Sequence, residues 1–149
     1  MSIVEVVKGC PLFYELYDDE ILDIIKRCVV AQYNEGDFII KQGAIGTDIF
    51  VILSGEVDVT VDTNDGQKKI TSLKSGDLFG ELVLINETKR TANIVCCESS
   101  KILVISYKDF YSYYQKKPKI FSILVLNVTR LLTKRLKNAN LIIQELKSV

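Results

Sequence analysis

Seven glycines, Gly36, Gly43, Gly46, Gly55, Gly66, Gly76 and Gly80, punctuate the stretch from Gly36 to about Ile105. Between and after them lie short apolar runs: Phe38-Ile39-Ile40, Ile49 to Leu53, Glu56 to Val61, Lys69 to Leu73, Ala92 to Val95 and Ile102 to Ile105. Several of these alternate apolar with polar residues, the period of a half-buried strand. Short strands at even spacing between turn residues fold as a β-sandwich or barrel. Asp65-Gly66, between two of the runs, is a tight-hairpin signal.

On both sides of this stretch the apolar period is helical. From Asp18 to about Ala31 the residues Ile21, Leu22, Ile24, Ile25, Cys28 and Val29 recur at helix spacing, and Asp18, Asp19 and Glu20 place carboxylates in the first turn, where the helix dipole favours them. After the barrel, Ser106 and Asp109 form a capping-box pattern that starts a second helix, and Pro118 ends it. A third helix is expected from about Ile120 to the end, with Leu132, Leu136, Ala139, Ile143 and Leu146 repeating at alternating four and three residues. That stripe suits packing on the barrel, or the same stripe of a second chain. Tyr107, Phe110, Tyr111, Tyr113 and Tyr114 read as helix packing, and Lys116, Lys117 and Lys119 as a solvated turn around Pro118. With no linker and no internal repeat, residues 1–149 read as one domain: a helical start at 1–35, a β-barrel at 36–105 and C-terminal helices at 106–149.

Composition removes several function classes. Nineteen basic and nineteen acidic side chains cancel, so no bulk charge grips nucleic acid or anionic membrane. The chain has no histidine, the commonest general base and metal ligand. Cys96 and Cys97 are adjacent and would point to opposite faces of a strand, and no C-x-x-C spacing exists, so zinc and iron–sulfur sites are not expected. Reduced, mostly buried thiols of a cytoplasmic protein are the expectation for all four cysteines. No apolar run reaches the roughly 20 residues that span a bilayer, and Met1 to Glu5 lacks the basic start of a secretory signal.

Chemistry concentrates in the run from Phe79 to Ala92, F-G-E-L-V-L-I-N-E-T-K-R-T-A. Gly80 permits a sharp turn and lets a ligand approach the backbone. The residues after it, Glu81 to Leu84, can open a short helix whose free N–H groups face an anion. Arg90, nine residues after Glu81, can pair bidentately with a phosphate. A carboxylate beside a phosphate repels it, and makes chemical sense where it accepts hydrogen bonds from a sugar hydroxyl carried by that phosphate. A plain surface ion pair between Glu81 and Arg90 is the other reading of the two charges.

This run resembles the phosphate-binding cassette of cyclic-nucleotide-binding domains, F-G-E-L-A-L followed after a short variable segment by R-[AST]-A, with the same Glu-to-Arg spacing. The resemblance extends through Pro11-Leu12-Phe13, Gly36-Asp37, Gln42-Gly43, Gly46 to Ile52, Gly55 with Val57-Asp58-Val59, and Gly76-Asp77, and covers nearly the whole chain. It implies an eight-stranded β-jelly-roll, mainly β with α, carrying an N-terminal helical element and two C-terminal helices. It implies that Arg90 meets the phosphate, that Glu81 accepts from the ribose 2′-hydroxyl, and that amides around Leu82 and Val83, freed by Gly80, complete the cradle with Thr91. In relatives, Thr at this position also favours cyclic GMP. The last helix would act as a lid, with Leu136, Ala139 and Asn140 as its base-facing residues and Arg135 beside them. Three positions depart from the pattern: Lys89 for the frequent Pro, Val83 for Ala, which adds two methyls near the cradle, and Asn93 where Thr or Ser is common.

The resemblance implies a non-catalytic, metal-free sensor of cyclic AMP or cyclic GMP that signals by moving its C-terminal helices, the base preference leaning to cyclic AMP. No catalytic residue and no cofactor beyond the nucleotide are expected. Output would pass through a homodimer on the last helix or a separate effector, without direct DNA binding, because the winged helix-turn-helix of DNA-binding relatives does not follow within these 149 residues. The sequence would then be a whole protein with a separate partner, or one domain of a channel or kinase regulator. Three rivals remain: a cupin-like enzyme and a haem or iron–sulfur sensor, both poorly served by a chain without His, and a ligand-less dimerisation or scaffold module with the same fold.

Overall fold

A computed structural model describes residues 2–148. The order of elements is α1 (Ile3–Lys8), a 3-10 turn (Pro11–Phe13), α2 (Asp18–Ile25), β1 (Val29–Tyr33), β2 (Phe38–Ile40), β3 (Asp48–Ser54), β4 (Glu56–Thr63), β5 (Gly66–Lys74), β6 (Leu78–Phe79), a second 3-10 turn (Glu81–Ile85), β7 (Asn93–Cys96), β8 (Ser100–Ser106), α3 (Tyr107–Lys116) and α4 (Pro118–Lys147). The eight strands form two four-stranded antiparallel sheets, ordered β1-β8-β3-β6 and β2-β7-β4-β5. This is the jelly-roll expected from the sequence.

The unbroken apolar run Ile49 to Leu53 is explained by burial of β3 on both faces. Phe50 and Ile52 join Val57, Phe79, Ile94 and Ile102 between the two sheets. Ile49, Val51 and Leu53 face the other way, into a larger core with the helices. There Leu12, Phe13, Ile21, Phe110 and Leu124 close the outer side of the first sheet. A strand buried on both sides cannot alternate, and this one does not.

Two local readings change. The first long helix ends at Ile25, not near Ala31, and residues 29–33 are a strand pairing with β8 from Val29↔Val104 to Tyr33↔Ser100. Helical spacing at Cys28 and Val29 was coincidental; the β-branched pair Val29-Val30 supplies the edge strand of the sheet. The hairpin between β4 and β5 turns on Asn64-Asp65, and Gly66, with φ of 104°, opens β5.

The helical ends follow the sequence signals. Ser106 Oγ accepts from the Asp109 amide at 3.1 Å, and Pro118 begins α4. The lysines beside it do more than solvate a turn. Lys117 Nζ lies 3.4 Å from Asp23 and Lys119 Nζ 3.1 Å from Glu20, which docks the first turn of α4 on α2. Phe110 and Tyr113 are buried, while Tyr107, Tyr111 and Tyr114 stack along α3 with centroids 5.6 and 5.5 Å apart.

Candidate functional site

The site forms where β6 leaves the first sheet and the chain returns to enter β7. Gly80 takes a left-handed conformation (φ 80°, ψ 13°) and turns the chain out of β6 into the 3-10 turn Glu81–Ile85. Asn86, also left-handed with φ of 66°, closes that turn by donating its amide to Val83 O at 3.0 Å. The return strand is then stitched to the β2–β3 loop by three backbone bonds: Gly46 N to Thr88 O, Arg90 N to Ala44 O and Gly43 N to Arg90 O, at 3.0, 2.8 and 2.8 Å. These fix the main chain at Arg90 on both sides.

The Arg90 side chain is held as firmly. Nη2 donates to Asp48 O at 2.9 Å and Nη1 to Gly80 O at 3.4 Å. Its guanidinium carbon sits 5.8 Å from the centre of the Phe50 ring, which stacks in turn on Phe79 at 4.9 Å. Burial pushes the guanidinium below the usual arginine range, and the nearby charges of Asp48 and Glu81 oppose that shift. A guanidinium has five N–H donors, so two carbonyl bonds leave donors for an anion. The expected alternative, a plain Glu81–Arg90 ion pair, is not formed.

Glu81 is instead engaged from α4. Its Oε1 accepts from Arg135 Nη1 at 3.3 Å, and Arg135 Nη2 donates to Leu78 O. Arg135 thereby becomes a wall of a cavity of about 240 Å³. Gly80, Glu81, Arg90 and Thr91 supply its polar lining, while Ile40, Val59, Leu73, Phe79, Leu82 and Ile94 supply apolar lining. Such a space accepts a molecule that carries both an anionic group and an apolar body.

The sequence-derived residues separate into three groups. Gly80, Glu81, Leu82, Arg90 and Thr91 meet at the cavity. The Val83 side chain is turned away from it into the core beside the helices, so its extra methyls do not crowd the cradle. Leu136, Ala139 and Asn140 lie exposed on α4 and do not line the cavity; Leu136 and Asn140 border a separate shallow groove with Thr133 and Lys137. Asn93, one of the departures, is buried and fully used. It accepts from Gln42 N at 2.8 Å and donates to Thr60 and Asp62 at 3.2 and 2.9 Å, bracing the strands behind the cassette.

Apart from Leu82, the apolar side chains that line the cavity lie outside the sequence-derived set. Their signal was the alternation Val57-Asp58-Val59, which puts Val59 on one face of β4 with Ile94 as its neighbour on β7. Arg135 is one position, about 100° of helix rotation, from the expected Leu136.

All four cysteines are free thiols in the structure, and among the described residues no three His, Cys, Asp or Glu side chains converge on a metal position. No described helix is long and apolar enough to cross a membrane.

Residues 30–117 match the family model of the cyclic nucleotide-binding domain. A cGMP-dependent protein kinase of Drosophila melanogaster, isozyme 2 forms cD5/T2, is 37% identical over 108 residues, which are 70% of this chain and 12% of the kinase. The cyclic AMP receptor protein of Thermus thermophilus is 29% identical over 136 residues, covering 91% of this chain and 61% of that protein. The chain thus spans a small part of the kinase and less than two thirds of the receptor. Among solved structures, a cyclic nucleotide-binding domain from Methylobacillus flagellatus superposes with a TM-score of 0.80 at 25% identity, covering 91% of this chain and 77% of the other.

Proposed function

The chain belongs to the cyclic nucleotide-binding domain family, and on that premise we propose that it is a non-catalytic sensor of a 3′,5′-cyclic purine nucleotide. The observation that carries this reading is the polar lining of the cavity, where the left-handed Gly80 turn and the carbonyl-held Arg90 guanidinium face the same space. The cyclic phosphate sits against Arg90 and the amides after Gly80. Glu81 accepts from the ribose 2′-hydroxyl, and the base lies on the apolar side chains. Occupancy competes with Arg135 for Glu81, shifts the position of α4, and brings Leu136, Ala139 and Asn140 within reach of the base. A ligand that contacts the cassette and the helix differently in two arrangements shifts their balance by that difference.

Titration calorimetry with cyclic AMP and cyclic GMP tests the reading. Arg90→Ala is expected to cost about 2–5 kcal/mol of binding, since it leaves a phosphate unpaired in a partly desolvated pocket. Glu81→Gln is expected to weaken the ribonucleotide more than its 2′-deoxy analogue. Binding that is unaltered in the Arg90 variant removes the assignment. Thr91→Ala reads the base: a selective loss for cyclic GMP places the hydroxyl on guanine, and an unchanged ratio leaves it as support for the phosphate.

The Arg135–Glu81 pair favours one second reading, a domain that keeps the fold, fills the sugar position with its own arginine and serves as a dimerisation or scaffold module. Absence of binding heat for both nucleotides, in parent and Arg135→Ala alike, selects it.

A further inference from the structure

The Arg90 guanidinium lies against the β2–β3 loop at Gly46, in the space that a side-chain methyl there would need. A Cβ built on Gly46 falls 2.8 Å from Arg90 Nη2, 2.9 Å from Nε and 3.2 Å from Cζ, and meets nothing else as closely. Side-chain carbons do not approach other heavy atoms at such distances, so a Cβ here and the observed guanidinium exclude each other. Gly46 has no need of glycine for its backbone, because its φ lies outside the left-handed range that Gly43 and Gly55 occupy. Its amide already bonds Thr88 O, so the loop is held whichever residue stands there.

We propose that Gly46 is a positioning residue whose missing side chain seats the Arg90 guanidinium for a cyclic phosphate; the inference rests on the sensor reading above. Only the tip of a flexible side chain stands in the way of a methyl, so the fold yields at small cost while the guanidinium leaves its place. Displacement breaks the bonds to Asp48 O and Gly80 O, because both depend on the position of the same planar group. A glycine that serves the fold loses stability on substitution. One that serves the guanidinium loses ligand and keeps stability, and replacing it by Ala restricts the unfolded chain, a small gain in the opposite direction.

The test is Gly46→Ala, read three ways. In the absence of nucleotide, the Arg90 Nε–Hε resonance is expected to move, while the melting temperature stays within about 2 °C of the parent. By calorimetry, affinity for cyclic AMP and cyclic GMP is expected to fall about tenfold or more, with no change in the ratio between the two bases. An unmoved resonance overturns the seat, whatever happens to affinity. A melting temperature lowered by many degrees also overturns it, because the glycine then serves the fold. A parent that binds neither nucleotide defeats the sensor reading alone, and the unliganded resonance and melting temperature still decide whether Gly46 places Arg90.

Discussion

The two halves of α4 are one continuous helix and yet belong to different physical regimes. From Pro118 to Arg130 one face of it is anchored, while Val125 and Leu126 stay exposed on the other. Ile120, Leu124 and Val128 enter the core, and Asn127 Nδ2 donates to Leu12 O and Tyr14 O at 2.9 and 2.8 Å. Lys117, Lys119 and Arg130 pair with Asp23, Glu20 and Glu15. From Leu132 to Leu146 the apolar stripe is exposed, and the ion pair and hydrogen bond of Arg135 tie this half to the cassette. The helix is thus clamped at one end and tied to the cassette by the Arg135 side chain at the other. The difference teaches that burial, not helical propensity, marks which part of the helix belongs to the core and which part stands outside it.

The same substitution in the two halves tests this most strongly. Leu124 is 2% exposed and Leu136 is 62% exposed. Leu124→Ala removes core methyls and leaves a cavity, an expected loss of about 2–5 kcal/mol in denaturant unfolding. Leu136→Ala is expected to stay within about 0.5 kcal/mol, as exposed sites do. A loss at Leu136 that matches Leu124 and grows with protein concentration breaks the comparison, and shows the stripe covered by a second chain.

Arg135→Ala gives a middle-sized effect and sharpens the contrast. The pair it forms with Glu81 is partly exposed, so the expected loss of stability is under about 1 kcal/mol. Its readout is local. Amide exchange from residue 131 to 147 is expected to speed up, while amides around Leu124 and Val128 keep their protection. Uniform acceleration along the whole helix would show that the two halves move as one.

Much of this arrangement was legible in the sequence, and the limits were physical. Glycine-punctuated runs gave the barrel, and Pro118 gave the break between α3 and α4, because both depend on local backbone rules. The cassette residues Gly80, Glu81 and Arg90 were legible as a spacing, and they meet at one cavity. The edge strand β1 was not, since its pairing with β8 is a contact across about 70 residues that a helical count at Cys28 and Val29 imitates. Asn127 escaped notice although it interrupts the run Ile123-Leu124-Val125-Leu126 before Val128, a polar residue in an apolar stretch that signals a buried hydrogen bond. The choice of Arg135 over Leu136 at the cavity depends on helix rotation, set by the anchored half some three turns away.

The smallest expected effect concerns how the anchored end holds at low pH. Burial raises the cost of charging Asp23, but hydrogen bonds from Tyr113 and Lys117 outweigh it and leave its pKa below the usual aspartate value. Glu20 behaves alike: burial opposes its charge, and the Tyr17 amide and Lys119 overcome that and hold its pKa down. A carboxylate whose folded pKa is depressed contributes stability that is complete above its unfolded pKa, about 4, and is lost as pH falls through the folded value. The docking of α4 on α2 is therefore expected to be constant from neutral pH down to about 5 and to weaken only below 4. Asp23→Asn removes this carboxylate's share, so the gap in melting temperature between parent and variant should be widest near pH 7 and narrow as both are acidified. A gap that persists unchanged at pH 3 would assign the loss to packing around Tyr113, and the anchor would then owe its strength to the core alone.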